Sequence, residues 1–331
     1  MRKFLVIQTA FIGDVVLATA LIEKLHHSYP DARIDMMVRK GNEGLLKEHP
    51  FLHKVLVWNK QENKLKNLFH LLQQVRQEKY DVLINVQRFA TTGLLTALSG
   101  AKKTIGFNKN PFSFLFTHTK PHIISTAAAP LHEVDRNQTL IESLTNAVPA
   151  LPRLYPSTND DTVVASLKSD PYIVIAPASV WYTKQFPVEK WTEFINKVPD
   201  HLKIFITGGP GDKPLADRIL QGVTRNGVTN LCGQHSMLQS VSLQRDAVMN
   251  YVNDSAPMHF ASAVNAPVTA VYCSTLPSFG FGPLSKKKFI IETTEALDCR
   301  PCGLHGRSSC PKGHFRCALG IDTDRLVGAL A

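Results

Sequence analysis

Two α/β domains in series, each built on a parallel sheet, are what this 331-residue chain predicts. Three observations point there. Short apolar runs of strand length alternate with stretches of helical periodicity in both halves. Such alternation implies parallel pairing, with helices covering both sheet faces. A proline-rich break near the middle separates the two series, and the length itself exceeds what one hydrophobic core usually fills.

In the N-terminal half, residues 3–7 form the first apolar run and end before Ile12-Gly13-Asp14, after which a helix-forming stretch continues to about residue 27. Residues 33–38, 53–57, 80–86 and 103–106 read as further strands. Between the third and fourth, residues 63–77 place Leu65, Leu68, Leu72 and Val75 at helical spacing. Pro149, Pro152 and Pro156 fall within 149–161, a segment also rich in Ser, Asn and Asp that reads as a linker. It sets expected domains at 1–155 and 156–331. The alternation then restarts: strands at 172–175, 202–206, 228–231, 247–251 and 268–272, with helices entered at Pro187, at 213–222 and at 257–264. Pro187 suits a first helical turn, where its missing N–H is not needed. Both halves thus read as Rossmann-like, and ligands are expected at the carboxyl ends of their strands, in a central cleft that the two domains face.

Composition narrows the class. An apolar share of 44% with 19% charged residues excludes a mainly disordered chain. Lys and Arg number 37 against 27 Asp and Glu, a net charge of +10 that favours an anionic partner. Nucleic acid is not expected, because no basic stripe is interleaved with aromatics. Residues 4–7 are too short for a signal h-region and no run nears the roughly 18 apolar residues of a membrane span, so a cytoplasmic location is expected. Six cysteines in such a setting read as thiols or metal ligands before disulfides.

Four loops carry candidate chemistry. Ile12-Gly13-Asp14 follows the first strand: Gly13 lets the backbone turn, and Asp14 stands where the next helix begins. Asp14 can therefore cap that helix, as aspartate often does, or serve as a carboxylate base at the strand ends. In the second half, Ser179, Thr183 and Lys184 follow one strand and Thr207-Gly208-Gly209 the next. Asn253-Asp254-Ser255 precedes a helix bearing His259. Small residues at such turns let backbone N–H groups approach phosphate, and a lysine neutralises it. Loops favour Gly, Ser and Asp in any case, so it is the coincidence on one sheet edge that suggests a nucleotide site. No G-x-G-x-x-G follows the first strand and no phosphate-binding G-x-x-x-x-G-K-[ST] is present, which argues against dinucleotide oxidoreductases and P-loop NTPases. Neither H-E-x-x-H nor G-x-S-x-G occurs.

At these residues the chain resembles a family, the lipopolysaccharide heptosyltransferases of glycosyltransferase family 9. The resemblance runs from Phe4-Leu5-Val6-Ile7 and Ile12-Gly13-Asp14-Val15-Val16 through Tyr80-Asp81-Val82-Leu83-Ile84, Gly100 to Phe107, and His132-Glu133-Val134 before Arg136. It continues with Ala176-Pro177-Ala178-Ser179, Lys184, Phe186-Pro187 and Trp191, then Asn253-Asp254-Ser255, Met258-His259, and Gly282-Pro283. The cysteine-rich tail is most similar to that of the pathway's second heptosyltransferase. One departure stands out: Ala256-Pro257 follow Asp254-Ser255 where the family usually has glycine. Alanine tolerates a positive φ poorly, so a differently shaped donor loop is expected.

The resemblance implies a GT-B fold and an inverting transfer that needs no cofactor. The donor it implies is the ADP-sugar ADP-L-glycero-β-D-manno-heptose. The acceptor is the anionic inner core of lipopolysaccharide on Kdo–lipid A, reached from the cytoplasmic face of the inner membrane by a peripheral protein. Asp14 is then the general base. Ser179, Thr183, Lys184, Thr207, Gly208, Gly209, Asp254, Ser255 and His259 bind donor, while Gly13, Arg88 and Arg136 bind acceptor. Lys102 and Lys103 are further candidates for a basic lip. Read from their spacing, Cys299, Cys302, Cys310 and Cys317 suit either a structural zinc or plain reduced thiols. Two rival functions fit the same architecture: a nucleotide-sugar epimerase, and a non-catalytic two-lobed sugar- or nucleotide-binding protein.

Overall fold

The computed structural model describes residues 1–126 and 128–330. The chain divides into two compact units, Met1–Tyr155 and Pro156–Ala331.

The N-terminal unit runs β1 (Lys3–Ile7), α1 (Ile12–Ser28), β2 (Arg33–Arg39), β3 (Leu52–Trp58), α2 (Lys64–Glu78), β4 (Val82–Asn85), α3 (Ala90–Leu98), β5 (Lys103–Phe107), β6 (His118–Lys120) and α4 (Glu133–Gln138). Its six strands are ordered β3-β2-β1-β4-β5-β6, every neighbouring pair parallel. The order reverses between β1, which pairs Ile7 with Met37 on one side, and β4, which pairs Asn85 with Ile7 on the other. That reversal is where a doubly wound sheet opens a crevice at its carboxyl ends. β1 is buried from Phe4 to Ile7, and α1 is buried along most of its length, from Val15 to Ile22. α2 instead packs one face, Leu68, Leu71 and Val75, against Leu5, Leu56, Trp58 and Leu83.

The C-terminal unit repeats the pattern: α5 (Thr158–Val164), β7 (Tyr172–Ala176), α6 (Val188–Lys197), β8 (Lys203–Ile206), α7 (Lys213–Gln221), β9 (Val228–Asn230), α8 (Met237–Arg245), β10 (Met249–Asn253), α9 (Ala256–Ala263), β11 (Val268–Tyr272), β12 (Lys288–Glu292), α10 (Arg316–Leu319) and α11 (Asp324–Gly328). Its strands are ordered β12-β11-β10-β7-β8-β9, all parallel. The reversal here lies between β7 and β10. The α/β class and two Rossmann-like sheets expected from the sequence are both present.

Local chemistry corrects several expected boundaries. Ser157 and Asp160 form a reciprocal capping box that starts α5, so the expected linker, 149–161, overran into a helix. Pro187 sits at the N-cap of α6 with extended ψ of 149°, one position before the first helical turn. Trp191, placed in the donor segment by resemblance, is fully buried against Phe186 and Phe194 and serves the core. The expected reshaping of the loop at Ala256 has no cause in the backbone. Ser255 is extended (φ −155°), and Ala256 and Pro257 open α9 as ordinary first-turn residues.

Candidate active site

On the C-terminal unit, the loops after β7 and β10 meet at the strand-order reversal. β7 leads into Pro177-Ala178-Ser179 and then Lys184; β10 leads into Asp254. Asn253 ties the two loops together, its side-chain amide donating to the Pro177 carbonyl at 2.6 Å while its oxygen accepts the Phe186 N–H at 3.0 Å. This clamp brings Lys184 Nζ to 2.7 Å from Asp254 Oδ2, with the two side chains 16% and 11% exposed. The Thr275 hydroxyl, just past β11, donates to the same carboxylate oxygen at 2.7 Å. An ammonium is thereby fixed at the crevice next to the N-terminus of α9, where Pro257 has no N–H and the Met258 N–H donates to the Ser255 carbonyl at 3.1 Å. Ser255 is the N-cap there. Ser179 lies at the same edge, half-buried, its carbonyl accepting from Gln185 Nε2 at 2.7 Å.

Four of the expected donor residues, Thr183, His259, Gly208 and Gly209, are placed otherwise. Thr183 is 1% exposed. Its hydroxyl oxygen accepts from the Arg307 N–H at 2.8 Å and the Ser274 hydroxyl at 3.0 Å, and its own N–H donates to the Arg307 carbonyl at 3.1 Å. It faces the interior and braces the β7 loop against the tail through Arg307 and Ser274. His259 is likewise buried within α9. The glycine turn after β8 is internally committed: the Gly209 N–H donates to Asp212 Oδ2 at 2.8 Å. A Cβ at Gly208 would meet that aspartate at 2.8 Å and the Cys232 sulfur at 3.1 Å, so close packing alone demands glycine. Thr207 continues the ladder, its N–H donating to the Ile175 carbonyl at 2.8 Å, and borders the β7 loop.

The tail supplies partners that sequence reasoning missed. Arg300 holds the end of β11 through the carbonyls of Tyr272, Cys273 and Thr275, and pairs with Glu292 at 2.6 Å. The Cys302 N–H donates to the Ser274 carbonyl at 2.9 Å, and Gly306 (φ +81°) abuts Thr183 and Lys184, where a Cβ would come within 3.0 Å of the lysine chain. The only sequence signal was that Ser274-Thr275 follow a strand with small hydroxyl residues. Cys299, Cys302, Cys310 and Cys317 lie near enough to act on one another: burial, then Cys299 and Cys310, raises the Cys302 thiol, and burial, then Cys302, raises Cys317 to about 11. Among the described residues, however, no group of three or more His, Cys, Asp or Glu is arranged to hold a metal ion, and all six cysteines are free thiols. Of the two readings left open for this cluster, structural zinc and reduced thiols, the side chains are placed as separate thiols. Cys232 and Cys273 are buried core thiols.

On the N-terminal unit the reversal between β1 and β4 gathers Asp14, Arg88 and Arg136. Asp14 is the third residue of α1, whose N-cap is Phe11, so its expected capping position is three residues off. Gly13 is itself helical and makes no turn. Arg88 is exposed just past β4. Arg136 is buried on α4, paired with Glu133 and donating to the Ile123 carbonyl at 2.8 Å. Burial and the nearby Arg88 lower its guanidinium to about 10, with Asp14 acting in the opposite sense. The three charges thus share one neighbourhood, but Arg136 is buried and stands behind the surface, held by Glu133 and the Ile123 carbonyl. Burial, followed by Arg136, Arg88 and Lys109, also lowers His122 to about 4, so that it stays neutral. Lys102 and Lys103 precede or start β5, at the amino ends of the strands, and Lys102 pairs with Asp81 at 2.7 Å. They lie on the wrong sheet edge for a lip around Asp14.

Comparison with known proteins matches this arrangement to a family. The model for glycosyltransferase family 9 (heptosyltransferase) matches residues 68–307. The chain is 28% identical over 287 residues to lipopolysaccharide heptosyltransferase 3 of Escherichia coli K12, covering 80% of both. It is 26% identical over 311 residues to lipopolysaccharide heptosyltransferase 2 of the same strain, covering 87% of both. The solved structure of E. coli ADP-heptose LPS heptosyltransferase II has a TM-score of 0.81 and 23% identity, covering 99% of this chain and 97% of that one. With most of its length matched by the family, this chain belongs to glycosyltransferase family 9, the heptosyltransferases, and is a glycosyltransferase.

Proposed function

We propose that this enzyme transfers heptose, with inversion, from ADP-L-glycero-β-D-manno-heptose to the lipopolysaccharide inner core on Kdo–lipid A. The observation that carries the reading is the Lys184–Asp254 pair at the β7/β10 reversal, 2.7 Å apart beside the α9 N-terminus. A fixed ammonium beside a helix N-terminus suits a diphosphate leaving group. The E. coli proteins it is similar to are named for lipopolysaccharide and, in one case, for ADP-heptose. The family membership supports the sugar and the acceptor class.

In this reaction the acceptor hydroxyl oxygen attacks the anomeric carbon on the face opposite ADP. As the new C–O bond forms, the bond to the diphosphate oxygen breaks and ADP leaves with the electron pair. Asp14 takes the hydroxyl proton as general base. Lys184, held beside the start of α9, receives the charge that develops on the diphosphate. A single base suffices, because the departing diphosphate is a stable anion that requires no proton. Asp254 holds Lys184 and faces the donor sugar, and Arg88 meets the anionic acceptor. The enzyme works peripherally at the cytoplasmic face of the inner membrane.

Incubation with ADP-heptose and a heptose-deficient core lipid tests this. Mass spectrometry of the lipid is expected to show one added heptose together with released ADP. ADP-heptose altered in the absence of any acceptor would favour the epimerase reading instead, and an unchanged donor and acceptor would leave only a binding protein.

A further inference from the structure

We infer that the outer side of α2 and α3, with the short turn Ser113–Leu115, is a docking face for an anionic lipid bilayer. The inference rests on the reading that the acceptor is a membrane lipid, since that gives bilayer contact its purpose.

Helices α2 and α3 pack on the same face of the N-terminal sheet: Leu68, Leu71 and Val75 of α2 and Leu95 of α3 share one buried cluster with Leu5, Ile7 and Leu83. Their opposite sides therefore turn away from the sheet together. On α2 that side carries Leu65 and Phe69, 74% and 61% exposed and one helical turn apart. On α3, Leu94 and Leu98 repeat the spacing. The turn Ser113–Leu115 neighbours α3 and leaves Phe114 77% exposed, with Leu115 beside it also exposed. Single exposed apolar side chains are ordinary. Six on three adjoining elements form a patch of the kind that marks an interaction surface.

Charge selects the occupant. Residues 82–132, which include α3 and the turn, contain no Asp or Glu but carry Arg88, Lys102, Lys103, Lys109 and Lys120. Of these, Lys102 and Lys120 pair with Asp81 and Glu142 outside the stretch. On α2, Lys66 and Arg76 are exposed alongside the leucine and phenylalanine. A symmetric contact with a second copy would set Lys66 and Arg76 of α2 against the same cations of the other copy, which like-charge repulsion opposes. An anionic leaflet offers headgroups to the cations and an apolar boundary to Phe69, Phe114 and the leucines.

The test is flotation of the full-length protein with phosphatidylcholine vesicles, with and without phosphatidylglycerol. The wild-type protein is expected to float with the anionic vesicles and far less with the neutral ones. The triple variant Leu65→Glu, Phe69→Glu, Phe114→Glu is expected to lose vesicle affinity by about tenfold or more, while its melting temperature and ADP affinity hold. Wild-type protein that ignores anionic vesicles, or a variant that binds them equally well, overturns the inference. So does a concentration-dependent dimer that the triple variant abolishes without any vesicle binding, which would assign the face to a second copy. Transfer to a delipidated, soluble core oligosaccharide is measured on the same samples. Transfer without vesicle binding removes only the docking face; vesicle binding without transfer removes only the heptose reading.

Discussion

Replacing Thr183 with valine keeps the branching of the side chain and deletes its hydroxyl. That oxygen accepts the Ser274 hydroxyl at 3.0 Å and the Arg307 N–H at 2.8 Å. Ser274 is fully buried, whereas Arg307 is exposed as a residue and its amide can turn to water. One stranded group is therefore the fair count, at a cost of about 1–3 kcal/mol. For a unit of this size each kcal/mol shifts the melting temperature by about 2–4 °C, so a fall of about 2–12 °C is expected. Thr183→Ser, which restores the oxygen, should recover most of it. Unfolding can be followed by tryptophan fluorescence, since Trp181 and Trp191 both belong to the C-terminal unit, with ADP affinity measured by calorimetry. The bracing role predicts lost stability with ADP affinity retained. An unchanged melting curve with weakened ADP binding would refute it and return the Thr183 hydroxyl to the donor.

Two further outcomes follow from charge. Lys184→Ala should weaken ADP binding by about 10- to 150-fold, the worth of a charge-assisted hydrogen bond, whereas Asp254→Asn, which releases the ammonium from its partner, should leave ADP affinity equal or higher; calorimetry on both variants checks the contrast. His122 is held neutral, lowered from 6.5 to about 4 by burial and by Arg136, Arg88 and Lys109. Between those values the unfolded chain binds the proton more tightly, so this contribution is complete above about pH 6.5 and fades as pH falls towards 4. Urea midpoints at pH 7 and pH 5 should therefore diverge less in His122→Asn than in the wild-type protein.

The strands that build both crevices were legible because a strand buried on both faces reads as an unbroken apolar run, as Phe4–Ile7 and Tyr172–Ile175 do. Two of the edge strands were not: β6 is His-Thr-Lys and mostly exposed, and β12 has only the three apolar residues Phe289-Ile290-Ile291 between lysines and a glutamate. Asp14 was found, but its helix starts at Ile12 behind Phe11, a residue with no capping side chain to announce it. The inward turn of Thr183 depends on Arg307, 124 residues later, and no local pattern reports such a contact. The place of Lys102 and Lys103 follows from the topology alone. A residue that opens a parallel strand lies at the edge opposite the ligand crevice, whatever its charge.

The central claim is that Asp14 is the base of a heptosyl transfer, and Asp14→Asn tests it most directly. As the third residue of α1, Asp14 contributes to the helix through its charge in the first turn, so the change should cost about 0.3–1 kcal/mol of stability. Asparagine cannot take the acceptor's proton, so the transfer rate should fall by about 10²–10⁴-fold with ADP-heptose affinity nearly unchanged. The single-turnover rate of transfer from ADP-heptose to core lipid, measured on the folded, donor-bound variant, is the decisive number. A loss in that range is the predicted result; a rate close to wild type would contradict the account and leave Asp14 a first-turn charge on α1.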